Sequence, residues 1–267
     1  MSPEYLQQIV NKPSVEKVIV TGGTKGIGDA IVRDLAGQMH NVALCARNID
    51  GLNTINLKGN VLAYQIDLGE KAGIRDFVRQ SSEAMGGINV LILNAAVSGI
   101  TESDEYTHQV NFDAQCELVK SAADMLRESG GRVVFLTSQQ AEHPVEGNLA
   151  YGNSKREVEQ WLKEFSAEEG NEGVQVFCVN PGPVATAMHE DALMNGSDEI
   201  QKRSRQIKEE GKLRDPNVVG HIISKMSVSG MKFNPETCQY DIPIANNEIV
   251  VISDENIEFE ECPATSL

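Results

Sequence analysis

The chain has 267 residues, 40% hydrophobic and 23% charged, a balance that suits one large globular domain. Its net charge of −16 sets up a field that repels nucleic acid and anionic membrane surfaces. No apolar run approaches the ~20 residues needed to span a bilayer, and residues 1–20 lack the basic-then-apolar order of a secretory signal, so a cytoplasmic protein with no membrane or nucleic-acid partner is expected.

In chain order, short apolar runs alternate with amphipathic stretches. Strands are predicted at 18–20, 42–44, 61–66, 89–93, 132–136 and 174–179, and helices at 27–35, 74–85, 114–128 and 154–168. Continuous apolar strands alternating with helices imply a parallel sheet covered on both faces. Right-handed crossovers make it a doubly wound, Rossmann-type α/β fold with three α/β/α layers.

After residue 179 the pattern changes. Pro181, Gly182 and Pro183 interrupt it, and the polar stretch 186–210 reads as two short helices, with 186–212 as a lid over a substrate. A helix at 216–228 opens with Asp215 as N-cap and Pro216 at the first position. Residues 239–244 are read as a last strand. The core then spans about 17–245 of a single domain over 1–267, and 248–267 is an acidic tail with a mobile end. Cys45, Cys116, Cys178, Cys238 and Cys262 form no CxxC pair, the histidines show no metal-ligand spacing, and the thiols read as free.

The first chemical motif is Thr21-Gly22-Gly23-Thr24-Lys25-Gly26-Ile27-Gly28, between the first strand and the first helix. Gly22, Gly26 and Gly28 lack Cβ atoms where the turn is tight and backbone must approach a pyrophosphate. The helix N-terminus behind them offers N–H donors and a positive dipole end. Strand, glycine turn and helix together are the context a dinucleotide site demands. The second strand ends at Arg47, with no acid before Asp50 to hold the 2′-hydroxyl of NAD. Arg47 and Lys25 read either as solvated surface charges or as a pair receiving the 2′-phosphate of NADP(H).

Tyr151-Gly152-Asn153-Ser154-Lys155 sets a phenol and an ammonium four residues apart, on one helix face. A free tyrosine titrates near ~10, and a neighbouring cation stabilises its phenolate. Lys155 is therefore expected to tune Tyr151. Ser138, closing the fifth strand, can donate to a substrate oxygen or serve simply as a strand-end turn residue.

The TGxxxGxG loop, the Ser138/Tyr151 spacing and the YxxxK pair resemble the short-chain dehydrogenase/reductase family, in its compact single-domain branch. The resemblance covers about 17–245, and the 207–240 stretch resembles benzil reductases and sepiapterin reductase. It implies catalytic roles for Ser138, Tyr151, Lys155 and Asn111, the last in a water relay to the lysine or as an amide satisfying a helix irregularity. It gives cofactor contacts to Gly22, Thr24, Lys25, Gly26, Ile27, Gly28, Arg47, Tyr151 and Lys155. Asp67 would meet the adenine amino group or else cap the next helix. Asn94 would bridge backbone beside the cofactor, with Ala96 in place of the family's glycine. Pro181, Gly182, Val184 and Thr186 would hold the nicotinamide carboxamide. Gln139, His143, Pro183 and Met188 are the substrate contacts, with no metal.

The expected reaction is NADP(H)-dependent reduction of a ketone or aldehyde, with Tyr151 as general acid. A non-catalytic NADP(H)-sensing protein on the same fold is the alternative. An epimerase or dehydratase would need a longer C-terminal domain. Helices 114–128 and 154–168 resemble those of the family's dimer bundle, which implies a homodimer or homotetramer.

Overall fold

The computed structural model describes residues 15–252 apart from 51, 53–58, 169, 172 and 235–238. Strands β1 (Lys17–Thr21), β2 (Asn41–Ala46), β3 (Val61–Gln65), β4 (Val90–Leu93), β5 (Arg132–Leu136) and β6 (Gln175–Asn180) coincide with the six apolar runs. Every pairing among them is parallel, in the order β3-β2-β1-β4-β5-β6. The order reverses between β1 and β4. That reversal opens a crevice at the carboxyl ends of the strands, where α/β sheets bind their ligands.

The helices are α1 (Gly26–Gly37), α2 (Ile74–Met85), α3 (Asp104–His108), α4 (Ala114–Ser129), α5 (Gln139–Glu142), α6 (Leu149–Ala167), α7 (Ala187–Asn195), α8 (Asp198–Glu209) and α9 (Pro216–Ser229). Alternate strand residues serve opposite faces. Ile19, Leu91 and Val133 pack under Phe77 of α2, Leu118 of α4 and Leu162 of α6. Val20, Ile92 and Val134 pack under Ile31 of α1 and Ile223 of α9. Two buried clusters sandwiching one sheet are the three layers expected. Asp215 caps α9 by accepting from Asn217 N at 2.7 Å, with Pro216 at the first position, an arrangement worth about 1 kcal/mol.

Two expectations about the C-terminal part are corrected. Gln239–Pro243 forms strand β8, but it pairs antiparallel with β7 (Met231–Asn234) in a separate ribbon. The seventh strand of the main sheet is β9 (Glu248–Val251), parallel to β6, within the stretch expected to be tail. The turn before it is anchored on β6: Asn247 N donates to Val176 O at 2.7 Å, and Val176 N to Asn246 Oδ1 at 2.8 Å. Helix α6 also begins five residues before its predicted start, which brings Tyr151 into its first turn.

Cys45, Cys116 and Cys178 are buried free thiols. Cys238, Cys262 and the acidic tail beyond 252 lie outside the described residues. Among the described residues no helix is long and apolar enough to cross a membrane.

Candidate active site

The chain turns from β1 into α1 through the glycine loop. Gly22 (φ +67°) and Gly26 (φ +55°) adopt left-handed backbone that a side chain would strain. A Cβ on Gly28 would lie 2.2 Å from the Gly22 carbonyl oxygen, so this glycine closes the turn from behind. Lys25 occupies the N-cap of α1 without a capping hydrogen bond from its side chain. The positive end of the helix is left to an anion.

Asn94 ties this loop to the end of β4. Its Nδ2 donates to Thr21 O at 2.8 Å and to Gly22 O at 3.2 Å. Thr21 Oγ1 in turn accepts from the Asn94 and Ala95 amides at 3.0 Å each. The backbone bridge expected of Asn94 is present, and alanine at position 96 does not disturb it.

A cleft of about 450 Å³ follows the crevice. Gly22, Thr24, Lys25, Gly26 and Ile27 line it from the loop, and Arg47, Asp67 and Asn94 from the strand ends. Tyr151, Lys155, Pro181 and Thr186 line its other end, while Gly28 stays behind the loop. A dinucleotide fits this donor set. Its pyrophosphate would meet the uncapped helix end across glycines that have no side chains. A 2′-phosphate would meet Lys25 and Arg47.

The Arg47–Asp67 end of the cleft holds two residues that the sequence does not point to. Arg47 Nη1 lies 3.5 Å from Glu102 Oε1, and the guanidinium also bonds Tyr106. The Tyr106 hydroxyl donates to both Asp67 oxygens, at 2.7 and 3.0 Å. Burial, then the Asp67 carboxylate, raises the Tyr106 pKa. Asp67 Oδ1 also accepts from Gly69 N at 2.8 Å. It is therefore a turn residue and not a helix cap, since the following 3₁₀ turn starts from Glu70. The signal for α3 was present in Ser103 with two acids behind it, for Ser103 Oγ accepts from Tyr106 N at 3.2 Å.

At the other end, Ser138 caps α5 by accepting from Gln140 N at 3.2 Å, and it hydrogen-bonds the Tyr151 phenol. Tyr151 is 8% exposed. Burial raises its pKa, and the Ser138 bond opposes that rise. The lowering expected from Lys155 does not appear: burial sets the direction, and the opposing influence is the Ser138 bond. Lys155 is 2% exposed, and its Nζ donates to Leu136 O at 2.7 Å, over the Tyr151 ring at 5.6 Å from the centroid. Burial brings the ammonium down to about 8, against the upward pull of Glu159 and Cys178. Glu159 is held one turn further along α6 by a hydrogen bond from Thr137.

Asn111 lies in a π-helical turn, Gln109–Asp113, between α3 and α4. Its side chain clasps residue 97 on both sides, accepting from Val97 N and donating to Val97 O at 2.9 Å each. Gln115 Nε2 donates to Val110 O at 2.8 Å inside the same irregularity. Asn111 lines neither the cleft nor the cavity beside it, so its contacts here are those of an amide satisfying a helix irregularity.

That second cavity, about 260 Å³, joins the cleft at Tyr151, Thr137, Pro181 and Thr186. Ser138, Gln139, Pro183 and Met188 line it, as do Gly182 and Val184, which sit on this side and not in the dinucleotide cleft. Helices α7 and α8 form its outer wall. His143, expected to touch substrate, does not line it. The residue ends α5, and its side chain is 68% exposed beside Glu142.

The sequence profile of the short chain dehydrogenase family matches residues 16–195. Isoepoxydon dehydrogenase of Penicillium expansum is 31% identical over 180 residues, covering 62% of this chain and 70% of that protein. A short-chain dehydrogenase/reductase from Saccharomyces cerevisiae superposes with a TM-score of 0.77 at 24% identity, over 91% of this chain and 99% of that one. A Burkholderia cenocepacia short chain dehydrogenase in complex with NADP gives 0.70 at 22% identity, covering 91% and 98%. A 3-oxoacyl-acyl-carrier-protein reductase from Brucella melitensis in complex with NAD gives 0.72 at 19%, covering 89% and 95%. The structural likenesses are likenesses of fold. The profile match covers well over half the sequence, and the chain belongs to the short-chain dehydrogenase/reductase family.

Proposed function

We propose that the chain reduces a ketone or aldehyde to the alcohol with NADP(H), as a single catalytic domain. One observation carries this reading. A hydrogen-bonded Ser138 and Tyr151 stand where the two cavities meet, with a buried Lys155 one helical turn behind the phenol.

In the reducing direction Ser138 and Tyr151 both donate to the substrate carbonyl oxygen, which orients the carbon toward the cleft. The chemistry that bound NADPH supplies is a hydride to that carbon. Tyr151 gives its phenolic proton to the oxygen, which completes the alcohol and leaves a phenolate. The Lys155 ammonium, buried beside the ring, stabilises that phenolate, and solvent returns the proton. Pro181 and Thr186, which line the cleft beside Tyr151, would orient the nicotinamide. Lys25 and Arg47 support NADP(H) over NAD(H), because both line the end of the cleft where a 2′-phosphate would sit.

Helices α7 and α8 would act as a substrate lid. Helices α4 and α6 would pair copies of the chain into a homodimer or homotetramer, which light scattering tests directly. The activity itself is tested by NADPH oxidation with a panel of ketones, diketones, quinones and aldehydes. Turnover that disappears in Tyr151→Phe and weakens with NADH supports the proposal. Tight NADPH binding with no turnover on any member favours a cofactor-sensing protein instead.

A further inference from the structure

The cavity beside Tyr151 has a second polar end. Arg203 and Ser204 are neighbours on α8, and both line it. Ser204 is 7% exposed, and its hydroxyl makes no hydrogen bond among the described residues. Arg203, an exposed residue that borders the cavity, has no ion pair or hydrogen bond among the described residues, although acids outnumber bases 39 to 23 in this chain. Every other described arginine has a partner.

The acids of the neighbouring lid helix are engaged elsewhere. Glu190 pairs with Lys208 at 3.3 Å, and Asp191 accepts from Ser98 at 2.9 Å and Thr101 at 3.3 Å. Arg203 does not line the dinucleotide cleft, so the phosphates of a cofactor are not its natural partner. Between the two polar ends the wall mixes Ile100, Val145, Ala192 and Ile207 with the polar Ser98, Asn148 and His189. A planar guanidinium fork and an unspent hydroxyl lining the same cavity match a carboxylate, which takes two parallel bonds from the first and one from the second.

We infer that the substrate is a carbonyl compound bearing a carboxylate, with Arg203 and Ser204 receiving the carboxylate while Ser138 and Tyr151 receive the carbonyl. The carbonyl end rests on the reductase reading above; the carboxylate end rests on α8 alone. A cavity of about 260 Å³ lies just under the roughly 300–1,000 Å³ typical of drug-sized ligands. The acid is therefore small.

The test uses aryl keto acids with increasing numbers of carbons between carbonyl and carboxylate, each paired with its methyl ester. Binding to the NADP⁺-loaded protein is measured by calorimetry in wild type, Arg203→Gln, Arg203→Lys and Ser204→Ala. In wild type, at one spacing, the acid binds about tenfold or more tightly than its ester. Arg203→Gln abolishes that ratio, Arg203→Lys keeps part of it, and Ser204→Ala loses about threefold. Thermal melting and NADP⁺ affinity establish that each variant is folded.

Acid and ester binding alike at every spacing, no binding by either, or a ratio that survives Arg203→Gln would overturn the inference. Turnover is followed separately. An acid preference lost in Arg203→Gln, without hydride transfer to any compound, leaves the carboxylate site standing and retires the reductase reading. Turnover of esters without acid preference does the reverse.

Discussion

Lys155 Nζ donates to the Leu136 carbonyl oxygen at 2.7 Å, a bond that ties the helix carrying Tyr151 to the strand leading into Ser138. The ammonium is almost wholly out of water, and burial brings it down to about 8 from 10.5. Keeping this cation dry costs the fold stability that an apolar side chain would not. Lys155→Met removes the desolvation cost along with one hydrogen bond. The variant should gain on the order of 1–2 kcal/mol at pH 7 while kcat/KM for reduction falls by roughly 100-fold or more. Calorimetric unfolding and turnover on the same preparation check both halves. An active variant with unchanged stability would remove the lysine from the mechanism.

The same shift produces two pH dependences of opposite sign. Below about 8 the lysine is protonated in both folded and unfolded chains, and the folded chain bears the full cost. Between about 8 and 10.5 the folded lysine releases its proton first. Wild-type stability, measured against Lys155→Met, should therefore rise with pH through that window. Reductase activity should fall across it, because the phenolate loses its cation. Denaturant melts and kcat/KM profiles at saturating NADPH read these independently. A profile flat to pH 10 would mean that Lys155 keeps its charge when cofactor is bound.

Arg47 is engaged by Glu102 and Tyr106, so a 2′-phosphate has to compete with a resident carboxylate. Half-exposed pairs of this kind are worth about 0–1 kcal/mol and are screened by salt. Glu102→Gln should therefore tighten NADPH by about two- to fivefold more than NADH at low ionic strength. Arg47→Leu should weaken NADPH by about tenfold or more, with NADH affected less. Fluorescence titration of both nucleotides in both variants decides. Equal effects on NADPH and NADH would separate Arg47 from the 2′-position.

What the sequence made legible follows burial. Residues such as Ile19, Ile92 and Val134 are apolar because both faces of their strands are covered, so the runs announce themselves. The Tyr151/Lys155 pair shows because two side-chain identities sit four residues apart. The acceptor of Lys155 does not, because the Leu136 carbonyl carries no residue identity. Tyr106 was hidden in a five-residue helix too short to display a period, and it meets Asp67 across 39 residues of sequence. Glu248–Val251 runs into an acidic stretch, which masks its strand character. It is an edge strand with one covered face, and its pattern is alternating.

That alternation gives the sharpest test of the β6–β9 pairing. Val250 (8% exposed) and Ile252 (1%) join the cluster under α1 and α9, whereas Val251 between them is 56% exposed. Ile252 N donates to Asn180 O at 3.0 Å, and Asn180 Oδ1 accepts from Gly182 N at 3.0 Å. The strand thus braces the segment proposed to orient the nicotinamide. Val250→Asp forces a carboxylate into the apolar cluster and should cost about 2–4 kcal/mol, with NADPH affinity falling alongside stability. Val251→Asp, one residue on, leaves the charge in water and should stay within about 0.5 kcal/mol of wild type. The contrast arises only if the register holds, because a slip of one residue exchanges the two faces. Chemical denaturation of the two variants side by side decides it: similar losses at both positions would mean that the seventh strand is not seated as described.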